Sequence, residues 1–192
     1  MKHALNNLFG TPVYVGEVEN LKLVQEEVGF GLSRAKYTNS QAWNFQSVKT
    51  TPLNGDVISE FSMKNFEYSI DAHIARYCEL VNFRPRPYAK RLSWLTNNSK
   101  GGYTHVHNHT STDISGAYYY QTEKGNGNFF FMNPNLAATT SYVFERVPSY
   151  TEVEPRVGMI LLFPSYILHG VKTNEIDTDR ISLSFSVIYN RG

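Results

Sequence analysis

The sequence predicts a mainly β fold with flanking helices, and three observations carry that prediction. From about residue 88 onward, short runs alternate apolar and polar residues with period two. Turn clusters interrupt those runs at close intervals: NNSKGG (97–102), KGNG (124–127), NPN (133–135) and NEIDTD (174–179). Ahead of them, one long segment shows helical spacing instead.

Taken in order, LFGTPVYVGEV (8–18) reads as a short strand after a turn. The segment from Asp56 to Val81 reads as a helix, because Phe66, Ile70, Ile74, Tyr77, Cys78 and Val81 recur at spacings of three and four and form one stripe. Asp56 is its expected N-cap, and RPRP (84–87) its expected stop, since proline has no N–H to donate and restricts the residue before it. Strands are expected near 88–96, 102–109, 114–121, 127–132, 141–147, 158–164, 167–173 and 180–189, a number that suits a sandwich or barrel with a helix packed outside one sheet. The chain reads as a single domain over 1–192, with 1–87 supplying an N-terminal strand and supporting helix and 88–192 the β core.

The 192 residues carry a formal net charge of +1, which argues against a nucleic-acid partner, because such partners are usually met by a basic excess. The lone Cys78 excludes an internal disulfide framework and a cysteine-ligated zinc or iron–sulfur site, and lies where a buried small hydrophobe belongs. It fits a reducing, cytoplasmic setting. No run of ~18 apolar residues is present for a membrane span, and the first residues lack an apolar signal core. An aromatic content of 14% leaves room for a homodimer interface.

The unusual feature is Tyr-Thr-His-Val-His-Asn-His at 103–109, which holds three of the six histidines. On a strand, i, i+2 and i+4 share a face, so His105, His107 and His109 would project together. An H-x-H pair gives a metal two imidazole donors, with Asp113 in the following loop as a carboxylate within reach. Further on, GMILLFPSYILH (158–169) is a buried apolar run, then a Pro-Ser bend, then His169 beside Gly170. Finally, Arg180, Ser182, Ser184 and Ser186 alternate with Ile181, Leu183, Phe185 and Val187. This puts a guanidinium and a hydroxyl on one face, a ready clamp for a carboxylate.

In this order the motifs resemble the Fe(II)/2-oxoglutarate-dependent dioxygenase superfamily. More closely they resemble the putative 2OG-Fe(II) oxygenase family of phages and bacteria. The pieces that carry the likeness are Trp94 with Asn97, His105-Val-His107, Ser115-Gly-Ala-Tyr118-Tyr119, Phe163-Pro-Ser165 to His169, and Arg180-Ile-Ser182-Leu-Ser-Phe185, with Leu8-Phe9-Gly-Thr-Pro12-Val13 at the start. The resemblance implies a double-stranded β-helix (jelly roll). It implies Fe(II) held by His105, His107 and His169, and the co-substrate 2-oxoglutarate held by Arg180 and Ser182 with help from Tyr119. It also implies hydroxylation by O2 of a peptide side chain or small metabolite, releasing succinate and CO2. One departure stands out: His107 takes the place of the usual carboxylate ligand, with Asp113 and His109 as alternatives to complete the triad. The loop 133–155 is expected over the mouth of the site. Two other readings remain at this point, a cupin-type metal protein without 2-oxoglutarate and a non-catalytic jelly roll. The first leaves Arg180 unexplained and lacks the glutamate expected near Ser111 and Thr112.

Overall fold

A computed structural model describes residues 10–39, 45, 47–84, 86–135, 137, 140 and 148–190, and in it the period-two runs pair into two antiparallel sheets. The elements run β1 (Tyr14–Glu17), α1 (Leu21–Arg34), β2 (Thr38–Asn39), β3 (Val48–Thr50), α2 (Val57–Glu60), α3 (Lys64–Leu80), β4 (Lys90–Asn98), β5 (Thr104–His107), β6 (Ile114–Gln121), β7 (Phe129–Met132), β8 (Tyr150–Val153), β9 (Met159–Pro164), β10 (His169–Val171) and β11 (Arg180–Ile188). The seven-stranded sheet has the order β1-β9-β6-β11-β4-β3-β2, and the four-stranded sheet β5-β10-β7-β8. From β4 onward, β4, β6, β9 and β11 enter the larger sheet while β5, β7, β8 and β10 enter the smaller one. That division of eight strands makes a double-stranded β-helix, the jelly roll, with helices flanking it.

Alternation along each strand decides which face meets what. Tyr118, Ile160, Leu162, Leu183 and Phe185 point outward under α1 and α3 and form the main core; the Phe66 and Tyr118 rings lie 4.9 Å apart there. On the opposite face, Leu161 and Phe163 meet Phe129 and Phe131 of the smaller sheet and close one end of the space between the sheets. The other end of that space is left to polar residues. Among the described residues no helix is long and apolar enough to cross a membrane.

The helical expectation needs three corrections. First, the segment is two helices, broken where Ser62 takes a left-handed conformation (φ 53°) and Met63 inserts against Gly31 of α1. Second, α3 ends before the prolines. Asn82 adopts φ 58°, its N–H donates to Glu79 O, and Phe83 N–H donates to Cys78 O, a Schellman closure. Phe66, Ile70, Ile74, Tyr77 and Cys78 are buried as the stripe requires, but Val81, past that end, is 37% exposed. Third, Asp56 occupies the expected N-cap position, now of α2, but its side chain makes no capping hydrogen bond.

Asp56 instead accepts hydrogen bonds from Arg91, Ser93 and Ser59, and Arg91, buried in β4, also pairs with Glu67. Burial alone would raise the Asp56 carboxyl, but these bonds hold it below its ordinary value. Stability from the pair is therefore fully present above the unfolded carboxylate value of ~3.9 and is lost as pH falls through the lower folded value. Denaturant titrations at stepped pH should show this loss, and Asp56→Asn should flatten it. Arg91→Met should cost roughly 3 kcal/mol at neutral pH, the low end for breaking a buried pair, because Asp56 and Glu67 keep contact with water.

Other differences concern elements whose signals are weak in the sequence. Helix α1 buries only Val24, Val28 and Gly31, while Leu21, Leu23 and Phe30 stay exposed, so its apolar stripe is blurred. Strands β2 and β3 are two and three residues long. The strand expected at 141–147 lies outside the described residues, as does Pro85. The loop expected over 133–155 contains β8, which pairs Tyr150–Val153 with Met132–Phe129.

Candidate metal and co-substrate site

Three histidines converge at the polar end of the space between the sheets. His107 closes β5, His109 follows it in the loop, and His169 opens β10 directly opposite His107 in the ladder. One ligand atom from each lies within 4.8 Å of the others, and the ring centroids are 4.4 Å (His107–His169), 5.0 Å (His107–His109) and 5.2 Å (His109–His169) apart.

His105, expected to pair with His107, is not in this group. Val171 pairs with Thr104 while His169 pairs with His107, so β5 spends three steps where β10 spends two. The extra residue is a β-bulge, and a bulge breaks the alternation that i, i+2 parity assumes. Thr104 and His107 then face the cavity, while His105 and Val106 turn out to solvent and the His105 ring lies edge-on to Tyr103. Asp113 is not in the group either: its carboxylate accepts the Tyr189 N–H on the far side of β6. The pair on the cavity side is therefore His107-Asn108-His109.

The loop carrying His109 is held by Ser165, the bend residue of the Pro-Ser turn. His109 N–H donates to Ser165 O, Ser165 N–H donates to Asp113 O, and Thr112 Oγ1 donates to Ser165 Oγ, which also bonds Ser115 Oγ. The same bend positions His169, whose ring lies 4.7 Å from Phe163 and stacks on Phe129.

Two of the three rings also have their tautomer fixed. A carbonyl only accepts, so Nδ1–H of His169 donates to Ile167 O at 2.9 Å and Nδ1–H of His107 to His105 O at 2.8 Å. In the neutral ring this makes Nε2 the unprotonated nitrogen, the tautomer a ligating imidazole needs. Burial, with the neighbouring imidazoles, pushes His169 down to about 3 and His109 to about 4, and burial lowers His107 as well. All three rings are thus neutral at pH 7.

Across the same cavity, β11 presents Arg180 and Ser182, and β6 presents Tyr119 opposite Ser182 in the ladder. Tyr118 and Tyr120, of opposite parity, face α1, where Gln25 donates to Tyr118 Oη and to Tyr120 O. Arg180 is 2% exposed, and among the described residues no carboxylate pairs with it. Its Nη1 donates to Gly127 O at 3.0 Å, while among the described residues its Nε has no partner and the Tyr119 hydroxyl, equally buried, has none either. Burial lifts the Tyr119 phenol to about 12 despite the cation beside it, so it remains a hydrogen-bond donor. A buried unpaired cation is costly, and these two vacant donors fit an incoming carboxylate. Three neutral nitrogens fit a divalent metal such as iron.

Residues 92–186 match the model of the family described as Putative 2OG-Fe(II) oxygenase. No curated protein matches the chain in sequence. Among solved structures, HygX from Streptomyces hygroscopicus, with nickel and 2-oxoglutarate bound, superposes with a TM-score of 0.68 at 16% identity, covering 94% of this chain and 84% of that one. A Pseudomonas putida prolyl-4-hydroxylase gives 0.65 at 10% identity and covers 94% of both chains. A prolyl hydroxylase from Trichoplax adhaerens, in complex with a hypoxia-inducible-factor peptide fragment, gives 0.63 at 15% identity over 92% of this chain and 83% of that one. At these identities the likeness is one of fold.

Proposed function

Because residues 92–186 make this chain a member of the putative 2OG-Fe(II) oxygenase family, we propose that it is an Fe(II)- and 2-oxoglutarate-dependent oxygenase that hydroxylates a peptide side chain or a small metabolite. His107, His109 and His169 hold the iron through Nε2 of at least the two rings whose Nδ1–H is engaged. Arg180, Tyr119 and Ser182 hold the distal carboxylate of 2-oxoglutarate. The iron, when bound, supplies the activation of O2 that couples conversion of 2-oxoglutarate to succinate and CO2 with oxidation of a C–H bond.

The observation that carries this reading is the buried Arg180, with no anion beside it among the described residues and a vacant Nε in the same cavity as three neutral imidazoles. A guanidinium and a phenol hydroxyl orient a dicarboxylate by one end and leave its other end for the metal. Phe129, Phe131 and Phe163 wall the histidines on the side of the core and keep bulk water from reaching the metal that way. Three imidazoles bring no negative charge to a divalent metal, so the 2-oxoglutarate dianion supplies the charge compensation. The single cysteine, buried and unpaired with another, suits a reducing compartment, and the setting we propose is cytoplasmic.

The test is to add Fe(II) and 2-oxoglutarate without oxygen and record the weak visible charge-transfer band of the chelate. The band is expected, and its absence overturns the reading. Tyr119→Phe removes one donor and keeps the ring, so it should weaken 2-oxoglutarate binding only about tenfold, read from the same band.

A further inference from the structure

Three buried asparagines lie behind Arg180 and link the turns that follow β4, β6 and β10. Asn174 Nδ2 donates to Asn98 O and to Thr178 O, both at 2.9 Å, and Asn174 Oδ1 accepts from Asn126 Nδ2 at 3.2 Å. Asn126 Nδ2 also donates to Thr178 O, and Asn126 Oδ1 accepts the Glu123 N–H at 2.7 Å. Asn98 is cross-strand partner to Arg180. With its amide oriented as its neighbours require, Asn98 Nδ2 donates to Ser99 O and Gly102 O, and its Oδ1 accepts from Arg180 Nη2 at 3.0 Å. The other acceptor on the guanidinium, Gly127 O, comes from the turn tied by Asn126. Gly127 sits at φ +86°, so close to Lys172 O that no Cβ would fit.

The arrangement is chemically selective. All three asparagines are essentially inaccessible to water and all are neutral. An aspartate in the place of Asn98 would bond Arg180 just as closely but would neutralise it. We infer that Asn98, fixed by Asn126 and Asn174, is a positioning residue that aims Arg180 with neutral acceptors only, so that the cation stays available to a carboxylate of the co-substrate. This rests on the reading of Arg180 as the co-substrate anchor.

Calorimetric titration of the Ni(II)-loaded protein with 2-oxoglutarate tests it, with Ni(II) affinity measured separately as the readout of the histidine cluster. Asn98→Asp supplies an internal carboxylate and is expected to raise the Kd for 2-oxoglutarate about 100-fold. Asn98→Ala frees the guanidinium without neutralising it and is expected to raise it about tenfold. Ni(II) affinity should stay within about threefold of the parent in both. A residue that only shaped the turn would weaken both ligands together. It would also make alanine, which loses every side-chain bond, at least as damaging as aspartate. Binding of 2-oxoglutarate by Asn98→Asp within about twofold of the parent, or weaker binding by Asn98→Ala than by Asn98→Asp, overturns the inference. Should Asn98→Asp fail to fold, Asn174→Ala decides: a loss of about fivefold confined to 2-oxoglutarate supports the inference, and an unchanged affinity overturns it. A parent protein that takes up Ni(II) but gives no heat with 2-oxoglutarate overturns the Arg180 reading itself, an outcome read before any variant is compared.

Discussion

His109→Ala is expected to abolish Fe(II) binding at the histidine cluster, while His105→Ala leaves it within about twofold of the parent. Removing a group that merely supports a metal ligand costs roughly 10–100-fold in affinity, and removing one of three ligands costs more. His105 is spared because the bulge in β5 turns it out to solvent against Tyr103. Anaerobic titration with Fe(II), or with Co(II) followed by its visible spectrum, separates the two variants. If His105→Ala loses the metal and His109→Ala keeps it, the bulge assignment is wrong. His109→Asp sharpens the test. It restores a donor and adds the negative charge that the triad lacks, so Fe(II) affinity should be retained or increased.

Arg180→Met is the second large effect. It should weaken 2-oxoglutarate binding by about 2–5 kcal/mol, roughly 30- to 5,000-fold, because a buried carboxylate would then face an apolar side chain. Metal affinity should stay near that of the parent, since Arg180 belongs to β11 and touches none of the three histidine strands or loops through a hydrogen bond among the described residues. The effect on folding should be smaller than the effect on binding. Losing the buried cation relieves its desolvation, which opposes the cost of leaving Gly127 O and the Asn98 amide oxygen unpaired. Titrations of the Ni(II)-loaded variant and denaturant unfolding of the metal-free one measure the two quantities. Unaltered 2-oxoglutarate affinity would remove Arg180 from the site.

These variants also mark where the sequence is informative. Period-two alternation set the β architecture where a strand has one apolar face on the core and one polar face on the cavity, as from Arg180 to Val187. Met159 to Phe163 is legible for the opposite reason: both of its faces are covered, so it reads as an unbroken apolar run. The apolar stripe of α3 is legible because three- and four-residue spacing lies on one helical face. Parity singled out Arg180 and Ser182, the Pro-Ser bend singled out His169 and the family resemblance singled out Tyr119, and the fold gathers all four around one cavity.

What the sequence alone determined, then, is the fold class, the strand order along the chain and the residue types of the site. The tertiary structure decided which of three histidines at equal spacing turn inward. Parity cannot see a bulge, whose position is fixed only by how β5 pairs with β10. It also decided where α3 stops, through the left-handed Asn82 rather than the prolines beyond it. And it assembled Asn98 at the end of β4 with Asn126 and Asn174 in the turns after β6 and β10 into one hydrogen-bonded support behind Arg180. Asparagine in a turn is so common that nothing in the linear pattern distinguishes these three. Their shared role exists only once the sheets close and bury them together.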